Sequence, residues 1–263
     1  MQNEKETEFA NVDLGYGSQP AEVNAFDINF FNGSRDDLVQ DVIHASERPF
    51  SYIVTPNVNH LVQLEHDEKL KHAYAAASHR TCDSRILKAL LALLRKPVQE
   101  VIPGSDLTAL LMGVAQRRAW RVCVIGAAVE DIAKMRTLYP NVTFLHHNPP
   151  MGFINRPDDV RACLDFVADN PAHLVVLSVG CPRQEMLARL IHDEGRSMGV
   201  GLCVGASINF ISGRVKRAPL WMQKMSLEWL HRMCMEPKRL VKRYVGDAVQ
   251  MLPIILRQFR KGA

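Results

Sequence analysis

Short β-rich apolar runs alternate along this chain with stretches of helical spacing, and that alternation constrains the fold more than any other feature. The runs are 24–31 (NAFDINFF), 51–55 (SYIVT), 120–126 (WRVCVIG), 142–145 (VTFL), 173–180 (HLVVLSVG) and 199–205 (GVGLCVG). Strands buried on both faces read as continuous apolar segments, and parallel neighbours need a helical crossover between them. The pattern therefore predicts an α/β fold: a Rossmann-like parallel sheet flanked by helices. Ser34 is placed to cap the first helix, one or two helices are expected over 58–77, and a compact apolar one over 86–94. Ser105 or Asp106 is expected to cap the next, which runs through Leu107, Leu111 and Val114. Further helices are expected over 158–168 and 184–192. After residue 205 only helical patterns remain, over 206–211, about 220–235 and about 238–259, with Pro253 expected to kink the last.

A chain of 263 residues is long enough to bury a sizeable core, and 47% apolar with 23% charged residues is ordinary for a folded protein. Charge is unevenly spread. From Arg214 onward there are 12 basic and 3 acidic residues, a net +9, leaving 20 against 25, a net −5, for the rest. The expected organisation is thus a polar tail at 1–21, an α/β core at 22–213 and a basic amphipathic C-terminal helical appendage at 214–263. The tail lacks the apolar stretch of a secretory signal or anchor. No segment reaches the roughly 18 uninterrupted apolar residues of a spanning helix, so the chain is not expected to cross a bilayer. Six scattered cysteines without a CxxC pair point to a reducing compartment.

Ligands of open α/β sheets bind beyond the carboxyl ends of the strands. Four such ends are rich in glycine and polar residues: Thr55 and Asn57 with Asn59 and His60; Gly126 and Ala127; Gly180 with Cys181, Arg183, Gln184 and Glu185; and Gly205 with Ser207 and Asn209. Each glycine alone reads equally as a tight turn. Three at equivalent ends favour a nucleotide, with Gly126, Ala127, Gly180, Gly205 and Asn209 as its candidate contacts. No GxGxxG follows a strand and GxxxxGK[ST] is absent, which disfavours dinucleotide redox chemistry and P-loop hydrolysis. No Asp-x-Asp pair is present to hold a divalent ion, and the ten histidines and six cysteines show no zinc spacing. The expectation is no metal and no cofactor, with a leaving diphosphate stabilised by backbone dipoles and by Arg183, Arg214, Lys216 and Arg217.

Group transfer to a hydroxyl needs a carboxylate to take its proton. Asp83, between a short segment and the helix expected at 86–94, is the best placed; its alternative reading is the N-cap of that helix. Asp106 reads more plainly as a cap, and His60 as a packing histidine. In the C-terminal segment Trp221, Met222, Met225, Trp229 and Met233 mix with Lys224, Arg232, Lys238, Arg239, Lys242 and Arg243. That mixture suits a helix lying on an anionic membrane surface, and equally a packing helix with a solvated basic face. No nucleic-acid recognition motif accompanies the charge.

The blocks TPNVNH (55–60), PGSDL (103–107), VCVIGA (122–127), PPMGF (149–153), VGCPRQE (179–185), VGASINFISGRVKRAP (204–219) and LEWLHRMCMEPKR (227–239) resemble, in combination, the WecG/TagA/CpsF family of glycosyltransferases. The resemblance covers about residues 24–244. It implies metal-independent, inverting transfer from a UDP-sugar donor to a polyprenyl-diphosphate-linked saccharide acceptor, at the cytoplasmic face of the inner membrane, with a peripheral appendage. By position it implies Asp83 as general base, Thr55 and Asn57 lining the site, Gln184 contacting the donor, and Arg214 and Arg217 approaching the diphosphate.

Two departures stand out. Asp83-Ser84 replaces the Asp-Gly of many relatives, and Val101 stands where an active-site arginine usually precedes PGSDL, with Arg85 available to supply the charge. The variant CDSRIL (82–87) looks more like the branch that assembles xanthan-type exopolysaccharide, which implies a glucose donor and a glucosyl-diphospho-polyprenol acceptor. N-acetylmannosaminyl transfer onto lipid-linked N-acetylglucosamine is the alternative within the family. A noncatalytic nucleotide-sugar or lipid-binding module, with Asp83 as a mere cap, is the alternative outside it.

Overall fold

The computed structural model describes residues 22–219, 221–222, 225 and 227–261, so the tail expected at 1–21 lies outside the described residues. The run NAFDINFF, expected as one strand, is a hairpin: β1 (Val23–Ala25) pairs antiparallel with β2 (Ile28–Phe30). Phe26 and Asp27 between them both have positive φ, 54° and 57°. That is the two-residue turn whose twist matches paired strands, and an apolar Phe26 in its first central position hides it in the sequence. The hairpin stands apart from the main sheet and is tied to it where Phe31 N–H donates to the Arg80 carbonyl at 2.9 Å.

Six parallel strands make that sheet: β3 (Ser51–Val54), β4 (His79–Arg80), β5 (Arg121–Gly126), β6 (Thr143–His147), β7 (Leu174–Ser178) and β8 (Val200–Cys203). Their spatial order is β4-β3-β8-β7-β5-β6. The chain leaves β3 toward one edge, crosses to β5 and β6 at the other, and closes the gap with β7 and β8. Side chains alternate across the sheet with period two. Tyr52, Val54, Cys123, Ile125, Val175 and Leu177 point into one apolar layer. Ile53, Val122, Val124, Leu174, Val176 and Leu202 point into the other.

Helices cover both layers. On the first lie α2 (Val58–His66), α3 (Glu68–Ala76), α4 (Arg85–Leu93), α7 (Pro157–Asp169) and α8 (Arg183–Glu194). On the second lie α1 (Arg35–Ala45), α5 (Gly104–Arg118), α6 (Val129–Leu138) and α9 (Ser207–Ile211). Ser34 closes a capping box with Asp37 at the start of α1, as its position predicts. The cap expected at Ser105 or Asp106 is not made: Pro103 occupies the N-cap of α5 without a side-chain bond, and Asp106 lies inside the first turn. Proline with a fixed φ starts that helix instead.

Of the helix expected over 220–235, α10 (Glu228–Met235) falls on described residues. The next, α11 (Pro237–Lys261), continues without a break across Pro253. It buries Leu240, Met251 and Ile254 and clasps α2 at three points. Asn59 Nδ2 donates to both oxygens of the buried Asp247, at 2.9 and 3.0 Å. His66 Nε2 meets Gln250 Oε1 at 3.2 Å, and Arg257 pairs with Glu65. No helix among the described residues is long and apolar enough to cross a membrane.

Candidate active site

All six strands run the same way, so the loops that follow them gather along a single edge of the sheet. The residues the sequence proposes for the site fall there into two groups. Around β3 and β4 stand Thr55, Asn57 and Asp83; around β5, β7 and β8 stand Gly126, Ala127, Gly180, Gln184, Gly205 and Asn209.

Asp83 follows β4 by three residues. Its N–H donates to the Pro56 carbonyl at 3.1 Å, and one residue earlier the Cys82 carbonyl accepts from Ile102 N–H at 2.8 Å. The segment is therefore stitched on both sides. The cap of α4 is Ser84, whose hydroxyl accepts from Leu87 N–H at 3.2 Å, so the capping role is taken and Asp83 does something else. Its Oδ1 accepts from Gly104 N–H, the first residue of α5, at 2.8 Å, and Asn57 Nδ2 approaches Oδ2 at 3.5 Å. A half-buried carboxylate thus faces the positive end of a 15-residue helix. Asn57 also caps α2 by accepting from His60 N–H at 3.2 Å.

Thr55 is buried, and its hydroxyl donates to the Cys203 carbonyl at 3.0 Å, joining the ends of β3 and β8. Gly104 packs closely behind it: a Cβ there would lie 3.3 Å from Thr55 Oγ1 and 3.2 Å from Val204 Cγ1. Val101, two residues before Pro103, packs against the core, while Arg85 is the exposed first residue of α4.

At the second group the backbone is tightly turned. Gly126 has φ +89°, and a Cβ would come within 2.8 Å of the Ser178 carbonyl oxygen, so no other residue fits without displacing β7. Ala127 follows with φ 65°, and His146 Nε2 meets the Gly126 carbonyl at 2.9 Å. Gln184 is buried with both ends of its amide engaged. Oε1 accepts from Gly205 N–H at 3.0 Å and Nε2 donates to Glu185 Oε1 at 2.8 Å. The Asn209 carbonyl accepts from Val215 N–H at 3.0 Å, which turns the chain out of α9.

The two arginines part company. Arg214 Nε reaches Asp131 Oδ2 on α6 at 2.8 Å, with Glu130 at 3.3 Å, beside the β5 loop. Burial raises the Asp131 carboxyl, but the hydrogen bonds from Ser212 and Arg214 outweigh it and hold the group below its ordinary value. Arg217 pairs instead with Asp106, in the first turn of the same α5 whose start meets Asp83, and with Glu228 of α10 at 3.2 Å.

A third cluster escaped the sequence. His60, Cys181 and Glu185 bring their ligand-type atoms within 4.8 Å of one another. Burial pushes His60 down to about 4 and Glu185 up to about 7. Spacing could not reveal the group, since its members come from α2, the β7–α8 turn and α8. The signal available was a histidine in the first turn of the helix after β3 and a cysteine in the turn after β7.

What the edge offers is a carboxylate held in place by a backbone amide, tight glycine turns at the strand ends, and arginines brought in by the chain after α9. Such a site can take a proton from a hydroxyl and neutralise an anionic leaving group. A family model described as "Glycosyl transferase WecG/TagA/CpsF family" matches residues 23–263. Enzymes of this kind move a sugar, in general from a nucleotide-sugar donor to a lipid-linked acceptor. This chain belongs to the WecG/TagA/CpsF glycosyltransferase family.

Proposed function

We propose that the protein transfers glucose from UDP-glucose to a polyprenyl-diphosphate-linked glucose, in the assembly of an exopolysaccharide repeat unit, by a single inverting displacement without a metal. The observation that supports the reading is Asp83, which leaves the capping of its helix to Ser84 and accepts from Gly104 N–H. The acceptor hydroxyl gives its proton to Asp83 as its oxygen bonds the anomeric carbon. The bond from that carbon to the diphosphate breaks, and UDP leaves with the electron pair. Gly126, Ala127, Gly180, Gly205 and Asn209 line the donor's path along the edge, Thr55 and Asn57 flank the base, and Gln184 shapes the donor side by holding Gly205. Arg217, and Arg214 once released from Asp131, supply charge for the departing diphosphate.

A lipid-borne acceptor fits the surface beside the base. Immediately after Asp83, α4 exposes Ile86 and Leu93. Farther along, α11 exposes Val241, Val245, Val249, Leu252, Leu256 and Phe259 at spacings of three and four, a single apolar stripe flanked by basic residues. The glucose donor is favoured by Asp83-Ser84 and by the apolar Val101, which leaves that position without the usual cation.

The decisive variant is Asp83→Asn. Turnover should fall about 10²-fold or more while donor binding holds, because only the proton acceptor is removed. A small loss would remove the base assignment. Donor identity is read by giving the enzyme labelled UDP-glucose and UDP-N-acetylmannosamine with membranes; lipid-linked product from the second alone would reverse the choice.

A further inference from the structure

Behind the catalytic edge, three ligand-type side chains from separate elements meet in the interior: His60 of α2, Cys181 of the β7–α8 turn and Glu185 of α8. Glu185 is fully buried. Its Oε1 accepts from Gln184, the Cys181 thiol stands beside the carboxylate, and no hydrogen bond of ordinary geometry closes on Oε2. A buried polar atom left in that state costs roughly 1–3 kcal/mol, and native proteins rarely keep one without a ligand, ion or water to satisfy it.

One imidazole nitrogen, one sulfur and one carboxylate oxygen are the donor types that Zn²⁺ takes in tetrahedral sites, at about 2.0–2.3 Å. With the three atoms within 4.8 Å of one another, closing them on a common ion needs side-chain movements of about an ångström. Supporting bonds are in place. Tyr74 OH engages His60 Nδ1 at 2.8 Å and leaves Nε2 to bind, while Gln184 holds Glu185 Oε1 and leaves Oε2. Gln63 Oε1, 3.7 Å from Cys181 Sγ, is at hand for a fourth position.

We propose that His60, Cys181 and Glu185 form a Zn²⁺ site that clamps α2, the β7–α8 turn and the start of α8 together. On binding, the Cys181 thiol gives up its proton to solvent and bonds the ion as thiolate, while His60 and Glu185 contribute lone pairs. The ion does not touch the transferred sugar. It fixes the start of α8, from which Gln184 holds Gly205, and so acts on the shape of the edge rather than on the chemistry.

The test uses untagged full-length protein, stripped with chelator, loaded with Zn²⁺, desalted and assayed by mass spectrometry for metal. About one equivalent is expected to remain. Cobalt(II) in place of zinc should give a thiolate-to-metal charge-transfer band. Cys181→Ser and His60→Ala should each lose the retained zinc and the band, whereas Cys234→Ser, which removes an exposed thiol, should keep both. Bound zinc should also slow alkylation of Cys181 in the wild-type protein, a measurement that needs no variant to fold. Wild-type protein that retains no zinc, shows no band, or is alkylated at Cys181 at the same rate with and without zinc would overturn the site. So would a band that survives Cys181→Ser and disappears with Cys234→Ser.

Discussion

At the scale of single residues, Asn57 performs two tasks that can be separated. Its side-chain oxygen caps α2 and its nitrogen approaches Asp83. Asn57→Ser keeps a capping oxygen and deletes the amide donor; Asn57→Ala deletes both. Both should lower turnover about tenfold through a less well-held base, and only the alanine should cost about 1 kcal/mol in chemical denaturation. Equal stability loss from the two would show that the cap is not what Asn57 supplies. Asp83 itself was legible as a carboxylate in the right neighbourhood, yet the sequence left base and cap as open alternatives. Ser84 removes the capping reading, because a hydroxyl one residue nearer the helix caps it instead. The amide that aims Asp83 comes from Gly104, 21 residues away, and backbone donors leave no mark in residue identity.

Among elements, what the sequence conveyed well were the long buried strands and the helices with clear apolar faces. What it hid were the short pieces: β4 is two residues long, and the β1–β2 turn is built from Phe26 and Asp27, neither glycine nor asparagine. The first takes its partner, β3, from some 26 residues away, which pattern reading cannot see, and the second lacks the residues that mark such a turn. The chain after α9 is fastened to α6 by Ser212 and Arg214 on Asp131. Since the Asp131 carboxyl sits below its usual 3.8 when folded, its contribution to stability is present above that pH and lost as pH falls through and below it. Asp131→Asn should therefore destabilise the protein by about 1–3 kcal/mol at neutral pH, and the difference from wild type should shrink below about pH 4. Unfolding curves at pH 7 and pH 3.5 check this; a difference independent of pH would mean the ion pair is not its source.

For the molecule as a whole, the parallel sheet collects every candidate at one edge, and the C-terminal helices bring a basic and apolar surface alongside. The outward stripe of α11 contributes little to the core, so Val245→Asp with Leu252→Asp should leave the melting temperature nearly unchanged. Sedimentation with anionic vesicles should nevertheless fall sharply, and added salt should weaken what binding remains. Unchanged vesicle binding would locate the lipid contact elsewhere. The same helix reaches inward through Asp247 to Asn59, two residues beyond the Asn57 that stands against Asp83. Trimming α11 to obtain a better-behaved sample would therefore also remove a brace from α2, and a sluggish truncated enzyme could be suffering from a loosened first turn of α2 rather than from the loss of an outer apolar face.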